Sequence, residues 1–87
     1  RPSIAVKTKQ RQRYYIYTKI SLRERWKIAD WETFYLKSIE PNAKSVLLST
    51  NDREVSILQD KLPKISIDEA YSVSSNGFND FIKKLKD

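Results

Sequence analysis

The sequence predicts a small α/β domain whose short, mainly parallel sheet is covered by helices in two or three layers. Three observations carry this. Alternating or β-branched apolar segments take turns with segments of helical period, in the order β-α-β-α-β-α. Capping and breaking residues punctuate the helical segments. The chain has 87 residues, 39% of them hydrophobic and 11% aromatic, enough for one core but not two. An α+β arrangement is the runner-up, because the third strand segment is interrupted. Crossovers between parallel strands would be right-handed.

Residues 1–12, RPSIAVKTKQRQ, are polar and cationic around one apolar island, Ile4-Ala5-Val6. They read as a flexible basic N-terminal arm, and residues 13–87 as a single α/β domain. The chain opens on arginine, so the expectation is a domain excised from a longer protein. Residues 13–20, RYYIYTKI, are rich in the β-branched and aromatic types that suit a strand. Alternation would set Tyr14, Ile16, Thr18 and Ile20 on one face. Arg13, Tyr15, Tyr17 and Lys19 would share the other.

Ser21-Leu22-Arg23-Glu24 forms a capping box, and the helix it starts is stopped by Glu40-Pro41-Asn42. This helix carries two apolar stripes. Leu22, Trp26, Ala29 and Leu36 make one; Ile28, Trp31, Tyr35 and Ile39 make the other, more than about 100° away at helical spacing. Such a helix is buried on two sides, or covers a sheet and also meets a partner. Asp30 is a candidate internal cap that would divide it.

Residues 43–50, AKSVLLST, read as a short buried strand. Asn51 caps the next helix, with Glu54 at its third position and Val55, Leu58 and Leu62 facing inward; Pro63 ends it. Residues 64–74 alternate, with Ile65, Ile67, Tyr71 and Val73 expected on one side and Glu69 interrupting. The final segment places Phe78, Phe81, Ile82 and Leu85 at helical spacing. Its late lysines, Lys83, Lys84 and Lys86, complement the helix dipole.

Absences narrow the chemistry. Without cysteine there is no disulfide scaffold, thiolate metal site or cysteine nucleophile. Without histidine the commonest general base and transition-metal ligand are gone. The single glycine, Gly77, leaves no glycine-rich phosphate loop. The chain is therefore expected to be non-enzymatic, with no catalytic residues, no metal and no cofactor. Asp52, Glu54 and Asp68 resemble a carboxylate set for Mg²⁺ only loosely. Acids at helix starts are better explained as caps and dipole partners. Ser21, after a tyrosine-rich strand, is similar in placement to the nucleophile of serine recombinases. That family's downstream glutamine and glycine signatures are missing, and the capping role accounts for the serine.

Charge points to a partner. The net charge is +6, from 17 Lys and Arg against 11 Asp and Glu. Nine of the cations fall within residues 1–27, against one acid, Glu24. Such asymmetry suits a polyanion. The expected function is a nucleic-acid-binding module for DNA or RNA. Lys7, Lys9, Arg11, Arg13, Lys19, Arg23 and Lys27 would contact phosphates, and Tyr15 or Tyr17 would stack on bases if their strand face is open.

The alternative is a protein-interaction or oligomerisation domain. Trp26, Trp31, Phe34 and Tyr35 lie within ten residues. Aromatics so concentrated ordinarily belong to a core, but they are also enriched at interface centres. Trp31, Phe34 and Tyr35 are the interface candidates, with Phe34 as the exposed anchor. No apolar run approaches the roughly 18 residues of a membrane span. An intracellular location is expected, cytoplasm and nucleus not being distinguished.

Overall fold

The computed structural model describes residues 4–18 and 25–86. Over these the chain forms β1 (Ile4–Lys7), β2 (Arg13–Tyr17), α1 (Arg25–Ile39), β3 (Lys44–Ser49), α2 (Asp52–Lys61), β4 (Glu69–Ser72) and α3 (Asn76–Lys86). A 3₁₀ turn, Leu62–Lys64, follows α2 and contains Pro63. The sheet order is β1-β2-β3-β4. β1 runs antiparallel to β2, while β2, β3 and β4 are mutually parallel.

The parallel part is an α/β sheet, as the sequence predicts. Where an arm was expected, the structure has a hairpin. Ile4 pairs with Ile16 and Lys7 with Arg13. The apolar island makes this possible: its residues suit a strand, and Val6 packs on the core beside Tyr14. Pairing also satisfies backbone groups of β2 that would otherwise form an open edge.

The sheet has two covered faces. On one, Tyr17, Leu47 and Ala70 pack against Ala29 of α1 and Val55 and Leu58 of α2. On the other, Tyr14, Ile16, Val46 and Leu48 pack against Phe81 of α3. Two successive crossovers moving the same way across the sheet put α1 and α2 on one side. α3, which follows the last strand, returns over the other. The result is three layers. Phe81 meets Tyr14 edge-on at 5.4 Å and stacks with Tyr71 at 5.3 Å. Gly77 sits where a Cβ would come within 3.2 Å of the Tyr71 ring, so its missing side chain lets α3 lie close to β4.

Two acids hold the loops around β4. The Asp30 carboxylate accepts from the backbone N–H of Ser66 at 2.6 Å and of Ile67 at 3.1 Å. Asp30 therefore does not divide α1; it anchors the segment entering β4 from mid-helix. Asp68 accepts from the Ser45 backbone N–H at 2.8 Å and pairs with Lys37 at 2.6 Å. The expected single face of Ile65, Ile67, Tyr71 and Val73 breaks at this point. Ile67 and Tyr71 lie in opposite cores, because the strand begins only at Glu69.

Candidate functional site

Two surface features stand out, and α1 carries the larger. Trp26, Ala29, Thr33 and Leu36 turn to the sheet. Thr33 is buried, its hydroxyl within hydrogen-bond distance of both the Ala29 carbonyl (2.8 Å) and Ser45 Oγ (2.7 Å). The second stripe is thereby turned outward. Ile28 is 61% exposed, Trp31 69%, Phe34 68%, Tyr35 57% and Ile39 61%. Trp31 is thus not in the core, whereas Trp26 is half-buried, with Lys61 Nζ 5.7 Å from its ring centroid.

The charges of α1 make this unusual. A solvated helix ordinarily points charge outward and apolar residues inward. Here Asp30 bonds the backbone ahead of β4 and Lys37 pairs with Asp68, both on half-buried ground. Asp30 and Lys37 are engaged with the rest of the domain while Trp31, Phe34 and Tyr35 face water. Scattered apolar residues on a surface are ordinary; here five are exposed together on one helix face.

The second feature is the β1–β2 turn. The Thr8 N–H donates to the Gln12 carbonyl and the Arg11 N–H to the Thr8 carbonyl, both at 2.9 Å. Arg11 takes a left-handed φ of 65°. Gln12 Nε2 donates to the Asn42 carbonyl at 2.6 Å, tying the turn to the loop between α1 and β3. Lys7, Lys9 and Arg11 are exposed here. Lys7, Arg11 and Arg13 line a shallow cleft with Glu40 and Asn42. On the other flank, Lys44 and Lys84 join Gln10 and Gln12 around a second cleft. Sequence reasoning missed both lysines, since β3 and α3 bring them to the turn from distant segments.

The tyrosines expected to stack on bases are placed differently. Tyr17 is 2% exposed, in the core beneath α1 and α2. Burial and the neighbouring Glu32 push its phenol up to about 12. Its ring is not available to a base. Tyr15 is half-buried against the same core and donates its hydroxyl to Glu40. Arg13 pairs with Glu40 at 3.2 Å. Its guanidinium is held above its ordinary pKa by the Tyr15 hydroxyl and by Glu40. Arg13 is therefore partly neutralised where a free phosphate contact was expected. Lys27 is exposed on α1, away from the turn's clefts. Lys19, Arg23 and the Ser21–Glu24 capping box lie outside the described residues.

At the carboxyl ends of β3 and β4, Asp52, Ser72, Ser74 and Ser75 line another shallow cleft. Its polar groups satisfy one another. Asp52 accepts from the hydroxyls of Ser72 and Ser74, and Ser75 Oγ caps α3 by accepting from the Phe78 N–H at 3.1 Å. Asp68 stands elsewhere, at the Lys37 pair. Among the described residues no three acids gather to hold a metal, and no helix is long and apolar enough to cross a membrane.

The chain matches no family model, no curated protein and no solved structure.

Proposed function

We propose that this domain is a protein-interaction module and that the outward face of α1 is its docking surface. One observation carries this: Ile28, Trp31, Phe34, Tyr35 and Ile39 are each more than half exposed on one helix whose Asp30 and Lys37 are tied inward. Aromatic side chains bury large area with few rotors to freeze, which is why they dominate interface hot spots. A photo-crosslinking residue at Phe34 tests the proposal in the native cell. Adducts of one defined mass are expected there, and none from the same probe at Asp60, an exposed position on α2. Equal labelling at both positions, or none at either, would count against it.

The β1–β2 turn supports a second role, contact with DNA or RNA through phosphate. Lys7, Lys9 and Arg11 are exposed, and Lys44 and Lys84 stand beside the same turn. Cations clustered on a polyanion release its counterions, so affinity falls with salt. Fluorescent oligonucleotides at about 50 and about 200 mM salt test this. Replacing Lys7, Lys9 and Arg11 by glutamine is expected to weaken binding and flatten the salt slope. Absence of binding at the lower salt removes this role.

A further inference from the structure

We infer that the occupant of the α1 face is a second copy of this chain, docked by antiparallel α1–α1 packing about a two-fold axis. This rests on α1 being the docking surface. Three observations choose a second copy over a foreign partner.

The first is the order of the stripe. Read along α1 it runs Ile28, Trp31, Tyr35, Ile39, aliphatic at both ends and aromatic between, with Phe34 near the middle. A two-fold axis demands a patch that is complementary to itself, so that residue i meets j and j meets i. Antiparallel pairing centred near Thr33 and Phe34 sets Ile28 against Ile39 of the other copy. Trp31 then lies over the other copy's Tyr35, and the two Phe34 rings approach the axis. A parallel pairing would instead stack each large ring on its own equivalent.

The second is charge. In the antiparallel sense the exposed Lys27 side chains of the two copies stand at opposite ends of the pair, where a parallel pairing would bring them together, while Glu40 is held within each domain by Arg13 and Tyr15. Opposed helix dipoles also favour the antiparallel sense. No like charges meet along the stripe, because Asp30 and Lys37 are engaged inside each domain.

The third is area. Aromatic side chains bury roughly 150–250 Å² each, so the exposed fractions of the five residues amount to about 600 Å² per copy. Two copies would bury about 1,200 Å², the lower bound of specific interfaces. This size predicts a reversible dimer rather than a permanent one.

Sedimentation velocity on the 87-residue chain, from micromolar to millimolar, tests the inference. A concentration-dependent monomer–dimer equilibrium is expected. Trp31→Lys should raise the dimer dissociation constant at least about thirtyfold, as loss of a hot-spot residue does, with an unchanged circular dichroism spectrum. The chain has no cysteine of its own, so geometry can be trapped directly. Ile28→Cys mixed with Ile39→Cys should cross-link under mild oxidation far faster than either variant alone. A strict monomer at millimolar concentration overturns the dimer, as does a dimer indifferent to Trp31→Lys. Faster cross-linking of Ile28→Cys with itself overturns the antiparallel register. If the chain is monomeric and the Phe34 probe captures a different protein, the docking surface stands and the second copy falls. If the probe also captures nothing, both fall.

Discussion

The Thr33 hydroxyl donates to Ser45 Oγ at 2.7 Å, joining the middle of α1 to the start of β3 with both residues buried. This contact sets the rotation of α1 about its own axis. With the small face of Ala29 and Thr33 against the sheet, Trp31 and Phe34 have nowhere to go but outward. Thr33→Val keeps the shape and removes the donor, leaving Ser45 Oγ without it. A loss of about 1–2 kcal/mol is expected in urea unfolding. Thr33→Val with Ser45→Ala should lose less than the two single changes added together, because the orphaned partner is gone.

Asp30 bridges α1 to the segment ahead of β4 through two backbone N–H groups. Asp30→Ala leaves both donors unpaired on half-buried ground. It should cost about 2–3 kcal/mol, as loss of a charged acceptor does. Hydrogen exchange at Ser66 and Ile67 should quicken more than at Val46 or Leu47. Uniform quickening across the sheet would show that Asp30 supports the whole fold rather than this loop.

The outward stripe and the core make opposite demands. Phe34→Ser should change monomer stability by no more than about 0.5 kcal/mol, since most of the ring already faces water. Phe81→Ala, which empties the space between Tyr14 and Tyr71, should cost about 3–5 kcal/mol. Parallel denaturant titrations at low protein concentration decide the matter. A comparable loss for both would mean that Phe34 packs within the domain.

Alkaline pH should unfold the domain through its buried phenols. Tyr17 is pushed up to about 12 when folded, by burial and then by Glu32. An unfolded tyrosine titrates near 10. The neutral form is the one the fold favours. Its contribution is therefore complete below about pH 10 and is lost as pH rises toward 12, on the order of 2 kcal/mol. Tyr71 is displaced in the same direction by burial and Glu69. Tyr17→Phe should show a shallower decline over that window. An identical decline would assign the effect to Tyr71.

Local pattern made much of this domain legible. Asn51 caps α2 by accepting from the Glu54 N–H at 3.1 Å, as the spacing implied. Pro63 lies in the turn that ends α2, and α3 spans the expected segment. The strand at β2 splits its residues as period-2 alternation requires, Tyr14 and Ile16 to one core and Tyr17 to the other. β1 was harder, because four residues with lysine at one end resemble a solvated tail until an edge is there to pair with. Lys44 and Lys84 were illegible as neighbours of Arg11, since no local period links residues so far apart in sequence.

The sequence by itself determined the alternation of strands and helices, the caps, the excess of cations near the start and the two apolar stripes of α1. These depend on spacing, on charge and on bonds within one turn of chain. Only the tertiary structure decided which stripe is covered. Both stripes are apolar enough to pack on a sheet. The choice fell to the one whose Ala29 and Thr33 are buried against the sheet, Thr33 reaching Ser45 of β3, and to Asp30 and Lys37, whose partners lie on the segment entering β4. Tyr17 was settled in the same way. The helix that closes over its strand face makes it core, and the same rotation turns Trp31, Phe34 and Tyr35 toward solvent.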